Sequence, residues 1–446
     1  MSAFRHRLRT LSRAVRTYGR HMARSLLPTR PGRGPFSRDF WRSPLRGPRF
    51  TSVLGVVLLA GVPILFVTGL LSYAAYNPDL APVNDKTPDK GILGFYLFPW
   101  PTDPPWLYRL TQGVHVTLGL ALVPVLLAKL WSVVPKLFTL PPARSLTHAL
   151  ERISLLLLVG GALFEFTTGI LNVQLDYVFP GSFYPLHLYG AWVFFGAFVA
   201  HVVLKAPVAL RTLRTMREGD AEGEASDDAT DELVAARPDR PTVSRRGALG
   251  LVGGGSLLLL ATSAGRSFDG PLRETAVLTP HGGPEPGSGP GAFQINKTAA
   301  YAGIRAAETS EEAWRLAVTG RSGTVRLGRA DLLGMPLHSA ALPIACVEGW
   351  STSDQWWRGV RLRDLAALVG HDDPVDVFVE SLQRRGAFRR AALRANQVAD
   401  PRSLLALFVN GEELTPDHGH PARIIVPAAP GVLNTKWVAR LTFGDL

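Results

Sequence analysis

The chain has 446 residues with 48 Lys and Arg against 36 Asp and Glu, a net charge of +12, and a single cysteine, Cys346. One cysteine excludes any intramolecular disulfide, so a domain outside the cytoplasm must rely on its core and a cofactor. The length suggests two or three domains, and thirteen arginines against one acid, Asp39, within residues 1–50 account for all of the net charge.

That basic arm, residues 1–49, would suit nucleic acid if it stood alone. An apolar stretch begins directly behind it, and basic residues flanking a first span hold that end in the cytoplasm, with anionic lipid headgroups as natural contacts. The membrane is therefore the expected partner, and nucleic acid is not. Four stretches, 50–76, 108–134, 149–172 and 184–206, can cross a hydrocarbon core of about 30 Å, which predicts an all-α transmembrane bundle over 50–210. Residues 77–107, rich in Pro and Asp, then lie outside. Lys136, Arg144 and Arg152 fall inside, Asp176 outside, and Arg211, Arg214 and Arg217 inside again, so the positive-inside rule agrees at every turn.

Ionisable residues within spans are costly and mark function. His187 and His201 lie fourteen residues apart on the fourth span, on one helix face and about 21 Å apart along its axis. This is the geometry for two stacked b-type haems, each held by two neutral imidazoles. His115, in the outer half of the second span, is the expected partner of His187; His148, at the cytoplasmic start of the third, is the expected partner of His201. Lys129 stands where a symmetric two-haem helix would carry its second ligand and reads instead as a side chain reaching for the inner interface. A single haem, with His201 serving otherwise, stays open. Glu165 is either a proton carrier for quinone chemistry or a neutral carboxylic acid hydrogen-bonded to Thr167, Thr168 or a neighbouring helix. In its spans and histidine placement the region resembles the four-helix membrane b-type cytochromes that exchange electrons with quinones, which implies haem b and a quinol or quinone partner. The spans show no internal repeat, which sets a transporter aside.

Residues 211–243 are acidic and poor in large apolar side chains, the composition of a cytoplasmic linker. Within 244–265, Arg245 and Arg246 precede a Gly-softened apolar run, which reads equally as a fifth span or as an internal twin-arginine export signal. Both readings place the residues after Ser267 outside the cytoplasm. A Gly/Pro-rich linker over 266–292 leads to the last domain, 293–446.

In that domain 313–319, 324–327, 375–381, 422–426 and 437–443 read as strands, and 361–369 as a helix capped by Gly370, an α+β pattern. Its distinctive stretch is Pro343-Ile-Ala-Cys346-Val-Glu-Gly-Trp-Ser351, followed by Gln355-Trp-Trp-Arg-Gly-Val-Arg-Leu-Arg-Asp-Leu365. A thiolate is a soft, strongly donating ligand, suited to a metal or to nucleophilic attack; the plain alternative is a buried structural cysteine. A second block reads His418-Gly-His-Pro-Ala-Arg423-Ile-Ile-Val-Pro427, then Pro430-Gly431 and Thr435-Lys436-Trp437-Val438. Together, in this order, the two blocks resemble the molybdenum-cofactor domain of the sulfite oxidase family, including its periplasmic sulfoxide reductase branch.

The resemblance implies an α+β molybdopterin-binding fold over 293–446, about a third of the chain, with Cys346 as a molybdenum ligand beside a pyranopterin dithiolene and oxygen-atom transfer as the chemistry. It places Asn296 where the entry loop meets the pterin. Arg423 and Lys436 are the candidates for the cofactor phosphate, and His418 for the pterin or that phosphate. His420 stands where an aromatic is frequent, and its role stays open. Gln383, Arg384 and Arg385 follow a predicted strand and could bind an anionic or sulfoxide oxygen; the arginines that surround the metal in sulfite-oxidising relatives do not map residue by residue. Glu348 and Trp350 flank the ligand, with Glu348 read as structural.

The assembled expectation is a multi-pass cell-membrane enzyme with its catalytic domain outside the cytoplasm. It would oxidise quinol, pass electrons through haem to molybdenum and reduce a small molecule such as a sulfoxide. The reverse direction, a sulfite-type dehydrogenase feeding quinone, uses the same parts, and a non-catalytic redox sensor or anchor belongs to a different class.

Overall fold

In this computed structural model the described residues are 34–446 apart from 82, 84–97, 139–144, 175–177, 180–182, 218–234, 236–237, 269–270, 279–288 and 385–387. Five long helices come first: α1 (Pro48–Ala75), α2 (Leu107–Val133), α3 (Leu146–Gln174), α4 (Phe183–Arg217) and α5 (Arg245–Ser267). All five contain segments long and apolar enough to cross a membrane. α1 and α2 keep internal prolines, Pro63 and Pro124, which apolar helices tolerate when neighbouring helices re-satisfy the freed carbonyls. α4 continues to Arg217, past the expected end of the span and into the stretch assigned to the acidic linker. The segment from Arg245 to Ser267 is a 23-residue helix.

The chain divides into two compact units. One comprises Met1–Val53, Lys129–Arg152 and Val208–Leu249. Here the Lys129 ammonium donates to the Thr51 carbonyl at 2.7 Å, and the Arg46 guanidinium lies 4.1 Å from the centre of the Trp131 ring. The other unit comprises Leu54–Ala128, Ile153–Pro207 and Gly250–Leu446. It holds the greater part of each helix together with the C-terminal domain.

That domain is built on two five-stranded sheets. The first runs β2 (Gly323–Leu327), β1 (Leu316–Gly320), β10 (Val438–Phe443), β5 (Val377–Ser381), β6 (Arg390–Leu393). Only the β1 and β10 pair within it is parallel, with Val318 opposite Leu441. The second runs β3 (His338–Leu342), β4 (Gln355–Arg361), β7 (Leu404–Val409), β8 (Glu412–Glu413), with β9 (Arg423–Ile425) also pairing β7. Helix α6 (Leu362–Leu368) follows β4 directly. Sheet pairing trims the starts of the expected 313–319, 375–381 and 437–443 and both ends of 422–426, and adds β3, β4, β6, β7 and β8, which no expectation named. β4 alternates as a half-buried strand should, with Trp357 in and Trp356 out. At the bulge between Arg358 and Gly359, a Cβ on Gly359 would stand 2.0 Å from the Leu405 carbonyl oxygen, so only glycine lets β4 approach β7 there.

Trp357 is fully buried, donates its indole N–H to the Leu342 carbonyl at 3.0 Å, and meets Phe293 edge to face. Trp357→Ala should cost about 3–5 kcal/mol of stability, read as a lowered thermal midpoint of the C-terminal domain.

The segment between α1 and α2, expected only as an outer loop, contributes core to this domain. Trp100 is 1% exposed and donates its indole N–H to the Ala428 carbonyl at 2.7 Å, and Asn396 donates to the Trp100 carbonyl. Asn77, fully buried, donates to Gln397 Oε1 at 2.9 Å.

Candidate functional site

Cys346 sits in a tight loop between β3 and β4. Its amide donates to the Trp350 carbonyl at 2.9 Å, and its carbonyl accepts from the Gly349 amide. Ala345 pairs on one side with Ser351 and on the other with Pro430. Trp350 donates its indole N–H to Glu348 at 3.0 Å, which gives that carboxylate a structural partner. Burial, and then Glu348, push the Cys346 thiol well above its ordinary range, so a thiolate here needs a bound cation.

Cys346 lines a cavity that also takes in Gln294, Asn296, Gln383, His418, Arg423 and Lys436. Asn296 and Gln294 come from the segment before the first strand, Arg423 from β9, and Lys436 from the turn into β10. Arg423 donates to the His418 carbonyl at 3.2 Å and lies over the Trp357 ring; burial lowers its pKa to about 9. Lys436 donates to the Lys297 and Asp417 carbonyls at 2.6 and 2.9 Å, and burial, then Arg423, hold its ammonium well below the usual lysine range. Two buried cations destabilise each other unless an anion lies between them. Gln294 Nε2, Arg423 Nε and Thr435 Oγ1 are buried without a protein partner, and all three residues line the cavity. Such orphaned groups call for a ligand. The residues therefore fit a polar, anionic group bearing a metal next to Cys346.

His418 bonds Thr415 Oγ1 at 2.8 Å through Nδ1, and its ring lies 4.0 Å from that of Phe293. Burial, then Arg423, lower its pKa to about 4. The unfolded chain therefore binds the proton first as pH falls. Stability should drop as pH falls from about 6.5 to about 4 and level off below. Thermal midpoints of wild type and His418→Gln across that window check this: the variant should lose that part of the slope.

Not every expected residue faces this cavity. Gln383 does, 3% exposed. Arg384 does not: it is exposed and paired with Glu308 at 2.8 Å, outside the lining. Arg385 lies outside the described residues. His420 also stands apart from the lining, near Arg329 and Glu413. Gln294, Asn434 and Thr435 line the cavity without having been singled out. Asn434 and Thr435 directly precede Lys436, and only the fold shows that they turn inward.

A second cavity lies between the helices in the same unit, with about 1280 Å³ of empty space, mouth included, and mostly apolar walls. His115 and His187 both line it, ring centres 6.2 Å apart and planes at 82°. His115 Nδ1 bonds the Leu65 carbonyl at 3.0 Å and lies 3.2 Å from Thr68 Oγ1. His187 Nδ1 bonds Thr168 Oγ1 at 3.0 Å and faces Glu165 at 3.1 Å. With Nδ1 engaged, Nε2 is the nitrogen each ring keeps for a ligand. Gly69 and Gly169 flank the two rings and leave the cavity open beside them. His201 is not in the lining, and the His148 side chain lies outside the described residues. Among the described residues no group of three or more His, Cys, Asp and Glu forms a metal cluster. Val347, the residue after Cys346, forms part of the wall of this second cavity.

Residues 303–445 match the family described as oxidoreductase molybdopterin binding domain. Mouse mitochondrial sulfite oxidase is 31% identical over 156 residues, which cover 29% of this chain and 29% of that protein. The oxidoreductase YuiH of Bacillus subtilis is 30% identical over 131 residues, 29% of this chain and 65% of that one. The solved structure of the sulfane dehydrogenase SoxCD from Paracoccus pantotrophus aligns at 25% identity over 31% of this chain and 39% of that one, with a TM-score of 0.28. The chain thus spans less than two thirds of the relatives' length, and the matches fall on the C-terminal domain.

Proposed function

We propose that this chain, an oxidoreductase whose C-terminal domain is a molybdopterin-binding domain of the sulfite oxidase family, is a membrane enzyme that oxidises quinol and reduces a sulfoxide-type compound outside the cytoplasm. The observation that carries the coupling is the His115 and His187 pair, facing one apolar cavity in the same compact unit as the Cys346 site. Two imidazoles about 2 Å from one iron place their ring centres about 6 Å apart, and the pair stands at 6.2 Å. Haem b, bound there, would supply one-electron relay between a two-electron donor in the lipid and the outer site.

At that outer site Cys346 would hold molybdenum, with Arg423 and Lys436 on the cofactor phosphate and Asn296, Gln294 and His418 against the pterin. The cofactor, when bound, supplies two-electron oxygen-atom transfer. Arg423 and Lys436 would neutralise it, and the Phe293 ring packs against His418. Gln383 can donate an amide N–H to a neutral acceptor oxygen. Quinol gives two electrons and two protons; the sulfoxide takes both, yielding a sulfide and water.

The five apolar helices support insertion in the cell membrane. Asn77 and Trp100, in the α1–α2 connection, belong to the catalytic domain's core, so that domain shares a side with the connection. By the charge rule, the arginine-rich arm would stay in the cytoplasm.

Elemental analysis and a reduced-minus-oxidised spectrum of the purified protein, then addition of a quinol and of a methyl aryl sulfoxide, test this. Molybdenum near one per chain, a b-type band reduced by the quinol and reoxidised by the sulfoxide are the expected results. Absence of the haem band would overturn the coupling. A band reduced by sulfite instead would reverse the direction, making the protein a dehydrogenase that feeds quinone.

A further inference from the structure

The loop that carries Cys346 is held by the helix ends. Gln112 of α2 donates its amide N–H to the Val347 carbonyl at 2.6 Å and accepts from the Ser72 hydroxyl of α1. Ser267, the last residue of α5, donates to the Gly349 carbonyl. Ser351 returns the contact, its hydroxyl donating to the Ser267 carbonyl at 2.6 Å and its amide to the Arg266 carbonyl at 2.7 Å. Gly349 has φ +91°, and a Cβ there would meet Val116 of α2 at 2.6 Å. The loop is therefore tied to α2 and α5 by bonds to the buried Gln112 and Ser267, and by its own buried Ser351.

We propose that the Cys346–Val347 peptide is the electron bridge between the two sites, and that Gln112 is the positioning residue that holds it. This deepens the function proposed above and rests on it. Val347 lines the helix cavity with His115 and His187, while Cys346, one bond away along the chain, lines the outer one. A path from one cavity to the other thus runs through covalent bonds except for the contact at the Val347 side chain. Gln112 also lines the inner cavity, so its amide shortens the alternative jump from that cavity to the Val347 carbonyl. Electrons cross singly; two crossings, with the two protons released by quinol, complete one sulfoxide reduction.

The test uses the full chain with its cofactors, comparing wild type with Gln112→Leu, Val347→Gly and Gln112→Glu. Gln112→Leu keeps size and removes the donor; Gln112→Glu keeps length and, when protonated, the donor. In a rapid-mixing experiment the quinol-reduced protein is mixed with a methyl aryl sulfoxide. Reoxidation of the b-type band should slow at least about tenfold in Gln112→Leu and Val347→Gly, and recover in Gln112→Glu as pH is lowered. Sulfoxide reduction driven by a reduced viologen, which reaches the outer site directly, should stay within about twofold of wild type in Gln112→Leu. Independently of any cofactor, hydrogen exchange of the amides around Val347 to Gly349 should rise in Gln112→Leu. Unchanged reoxidation in both Gln112→Leu and Val347→Gly would overturn the bridge while leaving the proposed function standing. A wild-type protein with no b-type band, or none that sulfoxide reoxidises, would overturn both.

Discussion

Cys346→Ser should lower molybdenum-dependent turnover by at least about a thousandfold, equivalent to about 4 kcal/mol of barrier, and do so without unfolding the domain. Serine is slightly smaller, and the main-chain bonds around the residue stay in place: Cys346 N–H to Trp350, Cys346 carbonyl to Gly349, Ala345 to Ser351 and Pro430. None uses the sulfur. What changes is the donor atom, from a polarisable thiolate to a hard hydroxyl that stays protonated in this buried position. The cofactor itself should be retained, because Arg423, Lys436 and Asn296, which line the same cavity, would hold its other end. Molybdenum content near wild type, a thermal midpoint within a few degrees, and lost viologen-driven sulfoxide reduction together identify a ligand. Full activity in Cys346→Ser would move the cysteine to the structural class and bring a pterin-binding sensor forward.

Much of this site was legible because its residues cluster in two short blocks, and main-chain geometry follows the blocks. Cys346, His418, Arg423 and Lys436 converge on one cavity as the resemblance implies. Legibility ended where orientation depends on the tertiary fold. Gln383 and Arg384 are neighbours in an irregular loop with no period to assign faces; Gln383 turns in, and Arg384 turns out to Glu308. Trp100 sits in a Pro-rich stretch that reads as an outer loop, yet it is core, because its indole partner, Ala428, lies 328 residues away. β4 was hidden inside a motif: Gln355–Arg361 alternates buried and exposed side chains, but bulky aromatics and arginines mask the period. The helices were legible to within a few residues from apolar length alone, except α4, whose polar end to Arg217 carries no hydrophobic signal.

His187→Leu should remove the b-type absorbance of its site and with it quinol-driven turnover, to below about 1% of wild type, while viologen-driven sulfoxide reduction persists. Leucine fills the volume of the ring, which lies against Phe183 with centres 4.8 Å apart, so the helices should stay packed. It cannot replace Nε2 as a ligand or Nδ1 as the partner of Thr168 and Glu165. His115→Leu should give the same loss, since each imidazole would hold the same iron. The amount of haem that remains settles what spacing alone left open. If His201 and His148 hold a second haem, His187→Leu and His115→Leu each keep half of the wild-type haem, and His201→Leu keeps the other half. If the protein has one haem, His201→Leu keeps all of it and His187→Leu none. Retention of the full wild-type haem in both His187→Leu and His115→Leu would instead make the apolar cavity a site for another ligand, such as the quinol itself. In that case Glu165, which lines the same cavity, would contact that ligand, and quinol-driven turnover, rather than the spectrum, would report its substitution.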